Sequence, residues 1–368
     1  LFRSFGTAVA IPASILAALG FDPIFAAIIC LIANTTPTAF GAIGLPVTTL
    51  AKVASIDPVT LSYAVGLQLF GLIVVLPLIL VMLTGKSIKA IKGVVFICIA
   101  SGLAFAIPEI LIAKYLGAEL PALIGSIVCI IVTVIIAKIF YKKTAAKDKA
   151  NVSLKQGIIA CVPYILILTF ILITSSLVPA INKPLSAIKT SILIFTGPHA
   201  KLSTFTWIAN PGTLIIIAAF IGGIVQGAKS KEIVKVFTDT CKQMSKTAIT
   251  IVAIVSLAKV MSYSGMITSI AVVVVAVTGS YYPLIAPIIG ALGTFVTGSD
   301  TSANVLFGPL QVEVARNLHM SPYWLAAANT GGATAGKMIS PQSIAVATAA
   351  TGLVGAEGKI LKATLKFC

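Results

Sequence analysis

Apolar runs long enough to cross a lipid bilayer recur along this chain and leave few folds open to it. A helix of about twenty residues spans the roughly 30 Å of hydrocarbon in a bilayer. Because backbone groups in hydrocarbon have no water to bond to, such runs favour α-helices, and the period-two alternation of a transmembrane barrel is absent from the sequence. The clearest runs are residues 63–83, 94–113, 120–140 and 158–178, with a shorter one at 214–225.

The composition indicates the same class of protein. Apolar residues make up 58% of the 368 residues and charged residues 10%, with a mean hydropathy of +1.09. A soluble domain carries roughly a quarter charged residues. Counting the interrupted apolar segments near both ends, we expect an all-α polytopic membrane protein with roughly ten membrane segments.

The distribution of positive charge predicts the topology. The net charge is +16, and lysines concentrate in three segments separated by lysine-poor ones. Because lysine-rich loops stay in the cytoplasm, we expect loops 85–92, 142–156 and 228–246 to be cytoplasmic. Loop 180–212, with a short helix at 185–195, is then external. This alternation accounts for the charge, so no nucleic-acid partner is expected.

Two distant stretches share one polar pattern. Residues 34–46 read NTTPTAFGAIGLP and residues 329–341 read NTGGATAGKMISP; both fit Asn-Thr, five residues, Gly, four residues, Pro. Polar residues, glycines and prolines within membrane segments are costly unless they line a cavity. A matched pair, one in each half of the chain, is typical of transporters built from repeats with the binding site between them. We therefore expect a broken helix at each motif.

The two motif segments are predicted to cross the membrane in opposite directions, as inverted repeats do. Lys86 follows span 63–83 and directs it inward, so segment 23–54 before it runs outward. Segment 322–353 is itself followed by three lysines and runs inward. Upstream of each motif lies a small, polar stretch, which we interpret as the tip of a re-entrant hairpin. These tips are residues 3–10 and residues 297–304, the second with arms 284–295 and 305–315.

The chain accordingly falls into three parts. Residues 1–58 hold the first hairpin tip and broken helix, residues 59–282 the intervening transmembrane helices, and residues 283–368 the second hairpin and broken helix. Within the middle part, residues 246–280 are too long for one span and are interrupted at 262–265.

The breaks in the motif helices are candidate anion sites. Helix ends within a membrane expose free backbone N–H groups and a positive dipole end, which bind carboxylates. Small residues let a ligand approach the backbone, and polar side chains add donors and acceptors. The candidate substrate-binding residues are Asn34, Thr35, Thr36, Gly41, Ser299, Thr301, Ser302, Asn304, Asn329, Thr330, Gly331 and Lys337.

Charged residues at predicted membrane depth are functional candidates. Asp300 lies in the second hairpin tip, where its carboxyl would carry a proton; coordinating a cation or capping the following helix are the alternatives. Lys337 lies in the second motif and pairs either with a substrate carboxylate or with Asp300. Glu109, which follows Pro108, is expected at the outer membrane interface.

Other chemistries find no support in the sequence. The six cysteines are scattered without a CxxC pair and the two histidines are far apart, so neither a metal site nor a disulfide framework is indicated. No Ser/His/Asp set, HExxH or P-loop is present, so we expect neither an enzyme nor a bound cofactor.

Three runs resemble the bacterial L-lactate permease family: LIANTTPTAFGAIGLPVTTLA, GTFVTGSDTSANVLFGPLQ and AANTGGATAGKMISPQSIAVATAATGLVG. The resemblance is distinctive near both ends and loose through the middle spans. It implies a proton-coupled importer of lactate, in some members of glycolate. It also implies that the intact protein extends further on both sides, with a last helix after Lys366.

The family is similar to a broader superfamily of anion transporters with paired hairpins and broken helices that carry Asn-Thr. That likeness implies an elevator-type movement and a homodimer. In the superfamily a serine commonly precedes Asn-Thr, whereas Ala33 and Ala328 stand there in this chain. This departure puts a sodium site of that kind in doubt.

The sequence therefore predicts a secondary transporter of the bacterial cell (inner) membrane that imports L-lactate, glycolate or another small 2-hydroxymonocarboxylate by proton symport. Its partners are lactate, the proton and the lipid bilayer. Sodium coupling or a different carboxylate is the near alternative. An anion channel would need a continuous polar path, whereas polarity concentrates at two breaks, and an enzyme would need a nucleophile with its base.

Overall fold

The structure is a computed structural model, and it describes residues 7–140, 153–174, 178–193, 196, 202–353 and 355–368. The chain divides into two compact units, one of residues 1–140 and 253–368 and the other of residues 141–252. The helices are α1 Thr7–Ala18, α2 Pro23–Ala33, α3 Gly41–Ala54, α4 Pro58–Thr84, α5 Val95–Leu116, α6 Pro121–Phe140, α7 Leu154–Thr174, α8 Pro179–Ala187, α9 Pro211–Val225, α10 Ser230–Tyr263, α11 Met266–Thr278, α12 Tyr282–Thr297, α13 Asp300–Asn317, α14 Pro322–Ile339, α15 Pro341–Thr351 and α16 Glu357–Thr364; the strands are β1 Lys189–Leu193 and β2 Leu202–Thr206.

Five helical stretches of the described part are long and apolar enough to span a membrane, and this confirms an all-α polytopic membrane protein. Four of them coincide with the predicted runs between residues 63 and 178. The fifth, Met266–Thr297, consists of α11 and α12 joined by a short 3₁₀ turn. The stretches are Pro58–Thr84, Val95–Leu116, Pro121–Phe140, Lys155–Thr174 and Met266–Thr297.

Local sequence specifies where many of these helices begin. Proline occupies the first turn of α2, α4, α9, α14 and α15, where its missing N–H leaves no bond unmade. A side-chain oxygen just before several helices accepts a hydrogen bond from a first-turn N–H. These capping residues are Asp22, Asp57, Asn210, Ser299 and Ser340.

The first motif breaks its helix as predicted. Helix α2 ends at Ala33, a 3₁₀ turn covers Thr36–Thr38, and α3 begins at Gly41. Pro37 lies in the first turn of that 3₁₀ segment, where it cannot donate to continue α2. The hydroxyl of Thr35 donates to the Ile32 carbonyl at 2.8 Å and so satisfies one of the carbonyls at the end of α2.

The second motif also interrupts its helix, as predicted, but at its proline end rather than at its Asn-Thr pair. Helix α14 runs unbroken through Asn329 and Thr330, and the interruption falls at Ser340, before α15. The residue before a proline is driven to an extended conformation, and Ser340 adopts it (φ −66°, ψ 135°) ahead of Pro341. The glycines of the motif therefore do not interrupt α14.

Those glycines allow two helices to touch at the backbone. A Cβ atom added to Gly332 would lie 1.7 Å from the Pro287 carbonyl oxygen, and one added to Gly336 would lie 2.2 Å from that of Ala291. From the other side, a Cβ on Gly290 would lie 1.9 Å from the Asn329 carbonyl oxygen. Helices α12 and α14 are therefore packed as closely as small residues permit.

The second predicted hairpin is present. Helices α12 and α13 pack together, and only Gly298 and Ser299 separate them. Gly298 closes α12 in the left-handed conformation (φ +72°). Of the predicted first tip, residues 3–6 lie outside the described residues, and Thr7 already begins α1.

The predicted loops 142–156 and 228–246 differ in outcome. Most of loop 142–156 lies outside the described residues. Segment 228–246 is helical from Ser230 on, because nothing between there and Tyr263 is a glycine or proline that would stop a helix. The interruption predicted at 262–265 is confirmed, since α10 ends at Tyr263 and Gly265 precedes α11 in the left-handed conformation. The membrane side of each loop remains a prediction.

The segment 180–212 is more ordered than a loop. Helix α8 covers its start, and the predicted helix at 185–195 is wrong because that stretch enters strand β1. Strands β1 and β2 pair antiparallel, with Lys189 opposite Thr206. Trp207 extends the pairing by donating its N–H to the Ile188 carbonyl at 3.0 Å. Elsewhere in this unit α7 packs on α9, where Gly222 fits against Pro163.

Candidate functional site

A buried polar network joins the hairpin to the second motif. The Asn304 amide of α13 donates to the Thr330 hydroxyl of α14, and the Asn329 amide donates to the Asn304 oxygen at 3.0 Å. All three side chains are fully buried. Because buried polar groups need partners, these bonds fix α13 against α14. The structure thus brings three of the predicted site residues into direct contact.

The network continues through two residues that the sequence analysis missed. The Gln311 amide donates to the Asn329 oxygen at 3.1 Å, and the Tyr282 hydroxyl donates to the Gln311 oxygen at 2.9 Å. Both side chains are fully buried. Gln311 lies two turns after Asn304 on the same face of α13, so an amide within an apolar hairpin arm was the available signal.

The first motif joins this network through one long hydrogen bond, which Asn304 donates to Pro46. The Asn304 amide lies 3.4 Å from the Pro46 carbonyl oxygen of α3, and a Cβ on Gly308 would meet the Leu50 side chain. The 3₁₀ turn and α3 also contact α14. In contrast, the hydroxyl of Thr38 donates within the motif, to the Asn34 carbonyl. That Asn34 and Asn329 lie at one membrane depth stays a prediction.

The remaining first-motif residues have local surroundings. Thr35 and Thr36 are buried, and Asn34 is half-buried at the end of α2. A Cβ on Gly41 would meet open space, whereas one on Gly331 would make ordinary contact with Leu69 at 3.9 Å. Gly41 therefore leaves room near the backbone at the start of α3.

The hairpin tip meets the interruption between α14 and α15. A Cβ on Gly298 would lie 2.1 Å from the Gln342 amide oxygen, so only glycine fits there. Each adjoining helix starts with a serine cap: Ser299 accepts from the Ser302 N–H at 3.3 Å and Ser340 from the Ser343 N–H at 3.2 Å. Two helix N-termini, each with a positive dipole end, thus adjoin at this point.

Asp300 and Lys337 are oppositely charged residues that interact electrostatically near the hairpin tip. Asp300 is the first residue of α13, it is 2% exposed, and neither carboxyl oxygen has a hydrogen-bond partner. Lys337 acts on it electrostatically, yet no ion pair forms within 4.0 Å. Asn304 lies one turn along and its amide donates to Pro46 and Thr330 instead. The Asp300 carboxyl is therefore buried with neither a hydrogen bond nor an ion pair among the described residues.

Glu109 departs from its expected place. The sequence analysis puts it at the outer interface, but the structure buries it completely in α5, and neither of its oxygens has a hydrogen-bond partner. The expectation is wrong because Glu109 lies on the face of α5 that packs against protein rather than on the one turned outward. That face also carries Gly102, Ala106 and Ala113, which with Glu109 are spaced three or four residues apart.

Among the described residues, no group of three or more His, Cys, Asp or Glu side chains could hold a metal ion. The chemistry available at the site is therefore that of amides, hydroxyls, helix N-termini and one carboxyl–ammonium pair.

Membrane-spanning helices, an interrupted helix in each half and a buried polar network between them define a polytopic membrane transport protein. The model of the family described as L-lactate permease matches residues 3–368. The L-lactate permease of Streptococcus iniae is 58% identical over 324 residues, which cover 88% of this chain and 68% of that protein.

More distant relatives share most of the chain. The glycolate permease GlcA of Escherichia coli (strain K12) is 36% identical, covering 98% of this chain and 71% of its own length. The L-lactate permease of Bacillus subtilis (strain 168) is 34% identical, with 98% and 72% covered. No solved structure matches. The chain belongs to the L-lactate permease family; it is a multi-pass protein of the bacterial cell membrane, and its family consists of permeases rather than enzymes.

Proposed function

We propose that this protein imports L-lactate, or the related 2-hydroxymonocarboxylate glycolate, together with a proton. The observation that carries the proposal is Asp300, a buried carboxyl without a hydrogen-bond partner, within electrostatic reach of Lys337 where two helix N-termini adjoin. The names of two relatives, an L-lactate permease and a glycolate permease, support the substrate class.

The substrate carboxylate binds to Lys337 and to the N-terminus of α15. Backbone N–H groups at a helix start and a lysine ammonium are both donors suited to a carboxylate. The serine cap at Ser340 satisfies the N–H of Ser343 and leaves the preceding N–H of Gln342 available. The 2-hydroxyl of the substrate both donates and accepts, and we assign it to the hydroxyls of the hairpin tip, Ser299, Thr301 and Ser302.

Charge balance explains why a proton accompanies the anion. With Asp300 ionised and Lys337 protonated, the empty site is neutral. A bound carboxylate adds one negative charge, which is costly in a poorly solvated site. A proton taken up by Asp300 removes that charge and restores neutrality. One proton per substrate anion is therefore the stoichiometry that keeps the site neutral whether it is empty or loaded.

Proteoliposomes containing the purified protein test the role of Asp300. Asp300→Asn keeps the shape of the side chain and removes its titration. We expect it to abolish lactate accumulation driven by a pH gradient, while lactate exchange partly survives because exchange moves no net proton. The matched control is Glu313→Gln on the same helix, which removes a carboxylate that pairs with Arg316 at 3.3 Å.

Accumulation at the wild-type level in Asp300→Asn would remove Asp300 from the coupling mechanism. Loss of exchange as well would assign Asp300 to substrate binding or to the positioning of Lys337, and Lys337→Met would then show the same loss. Accumulation that follows a sodium gradient in the wild type would replace proton coupling with sodium coupling.

A further inference from the structure

The buried carboxyl of Glu109 has no role in the mechanism above. It is 0% exposed, and neither oxygen has a hydrogen-bond partner. It lies on α5 between Gly102, whose added Cβ would lie 2.7 Å from the Val74 backbone of α4, and Ala113, which lies near Gly66 of α4. Glu109 therefore faces α4 in a region where the two helices are close together.

Among the described residues, no charged side chain compensates this carboxyl. It makes no ion pair within 4.0 Å with any of them. Lys114, the nearest lysine on its own helix, lies over the rings of Tyr63 and Tyr115, 5.5 Å from each ring centre. The other titratable groups on α5, on the helices packed against it and on neighbouring α3 are Cys98, Cys129, Lys138 and Lys52.

An ionised carboxylate in such a place is unfavourable, because it has lost its water and gained no partner. The neutral acid loses far less on burial. We propose that Glu109 is a second proton-binding site, loaded in the conformation described here and emptied to water when α4 and α5 separate. The proton comes from water and forms an O–H bond on the carboxyl, so nothing is oxidised or reduced.

Helix α4 connects this site to the second motif. On α4, the Gln68 amide donates to the Trp324 carbonyl of α14 at 2.8 Å, and Leu69 is the nearest neighbour of Gly331. A movement of α14 that carries α4 with it would change the packing of α4 on α5 at Glu109. Protonation of Glu109 would thus favour the conformation in which the two helices are closed. The inference depends neither on lactate as the substrate nor on Asp300 as the carrier.

Infrared difference spectroscopy of the reconstituted protein tests the proposal. The C=O stretch of a protonated carboxyl is resolved from that of a carboxylate and shifts in heavy water. We expect this band at neutral pH, where an ordinary glutamate with a pKa of about 4.3 is ionised. It should persist in Asp300→Asn and disappear in Glu109→Gln, whose amide reproduces the shape of the neutral acid.

The control is Glu119→Gln, in the connection between α5 and α6. Burial raises the pKa of the Glu119 carboxyl, and Lys52 opposes that shift. An Asp300→Asn/Glu119→Gln double variant therefore leaves Glu109 as the source of the band without any change at position 109, even if Glu109→Gln fails to fold. Absence of the band from this double variant would overturn the proposal.

A transport measurement tests the link to conformation. We expect the dependence of lactate exchange on pH to lose one titration step in Glu109→Gln while the step removed by Asp300→Asn remains. An exchange profile in Glu109→Gln that matches the wild type at every pH would also overturn the proposal. Accumulation at the wild-type level in Asp300→Asn, which would overturn the role proposed for Asp300, would leave both Glu109 readouts intact, so the two proposals fail separately.

Discussion

At the scale of single residues, hydrogen bonds between α12, α13 and α14 set the geometry of the site. Gln311 connects two groups that would otherwise be buried without partners, the Asn329 oxygen and the Tyr282 hydroxyl. Leaving a buried polar group unpaired costs more free energy than its hydrogen bond contributes when it forms. Gln311 therefore positions Asn329, which in turn donates to Asn304.

Two variants separate these contributions. Tyr282→Phe removes one hydroxyl and should lower the free energy of unfolding by about 0.5–1.5 kcal/mol. Gln311→Leu leaves two buried groups unpaired and should cost more, about 1–3 kcal/mol for each group. Thermal unfolding of both purified variants in the same detergent measures which substitution destabilises the protein more. Equal effects of the two substitutions would contradict a bridging role for Gln311.

Asp57 offers a simpler test of local structure outside the membrane. Its carboxylate caps α4 by accepting from the Thr60 N–H and hydroxyl, each at 2.7 Å. Asp57→Ala should destabilise the protein by about 1 kcal/mol, whereas Asp57→Asn, an equally good cap, should be nearly neutral. Unfolding midpoints of the two variants at pH 7 decide this.

The pH dependence of this cap has a definite sign. Hydrogen bonds from the Thr60 hydroxyl and N–H hold the pKa of Asp57 below its ordinary value. The stabilisation is therefore complete above the unfolded pKa of about 3.9 and is lost as the pH falls further. A difference between wild type and Asp57→Ala that grows on acidification would contradict the assignment.

At the scale of helices, glycine has two different uses in the two motifs. In the second motif Gly332 and Gly336 permit backbone contact with α12, and the helix continues through them. Sequence patterning predicts the apolar spans, the first break and the hairpin, because Pro37 and the capping Ser299 act locally. It does not show that the second motif breaks only at its proline end, because a glycine that bends a helix and one that admits a neighbouring helix look alike in the sequence.

Adjacent glycines provide a matched test of this packing. A methyl group at Gly332 would meet the Pro287 carbonyl oxygen at 1.7 Å, whereas one at Gly331 would meet Leu69 at an ordinary 3.9 Å. We expect Gly332→Ala to destabilise the protein by about 1–3 kcal/mol or more. Gly331→Ala should be tolerated, because alanine fits the available space and favours a helix. Similar folded yields and unfolding temperatures for both would show that α12 and α14 are not in backbone contact.

At the scale of the whole molecule, the topology predicted from the charge distribution can be tested by labelling. The lysine-rich segments predict that position 147 is cytoplasmic and that segment 180–212 is external. Single cysteines at these places, in a variant without the six native cysteines, should differ in labelling by an impermeant maleimide in intact cells. Labelling at position 147 before the cells are opened would contradict the predicted orientation.

The site was only partly predictable from sequence. The sequence pattern identified Asn304, Asn329 and Thr330, but it did not identify Gln311, Tyr282 or the burial of Glu109. Those depend on which face of each helix meets a neighbour, and apolar spans give little periodic signal because nearly every face is apolar. Charge at predicted membrane depth was a separate signal, which pointed to Asp300 and Lys337; their roles stay a prediction.

We propose that one carboxyl and one ammonium keep the site neutral, so that lactate crosses with one proton. Simultaneous measurement of lactate uptake and internal pH in proteoliposomes, with the membrane potential clamped by valinomycin and potassium, tests this stoichiometry. We expect one proton per lactate and a rate that does not change with the potential. Uptake that responds to the potential, or that proceeds without proton movement when sodium is supplied, would contradict it.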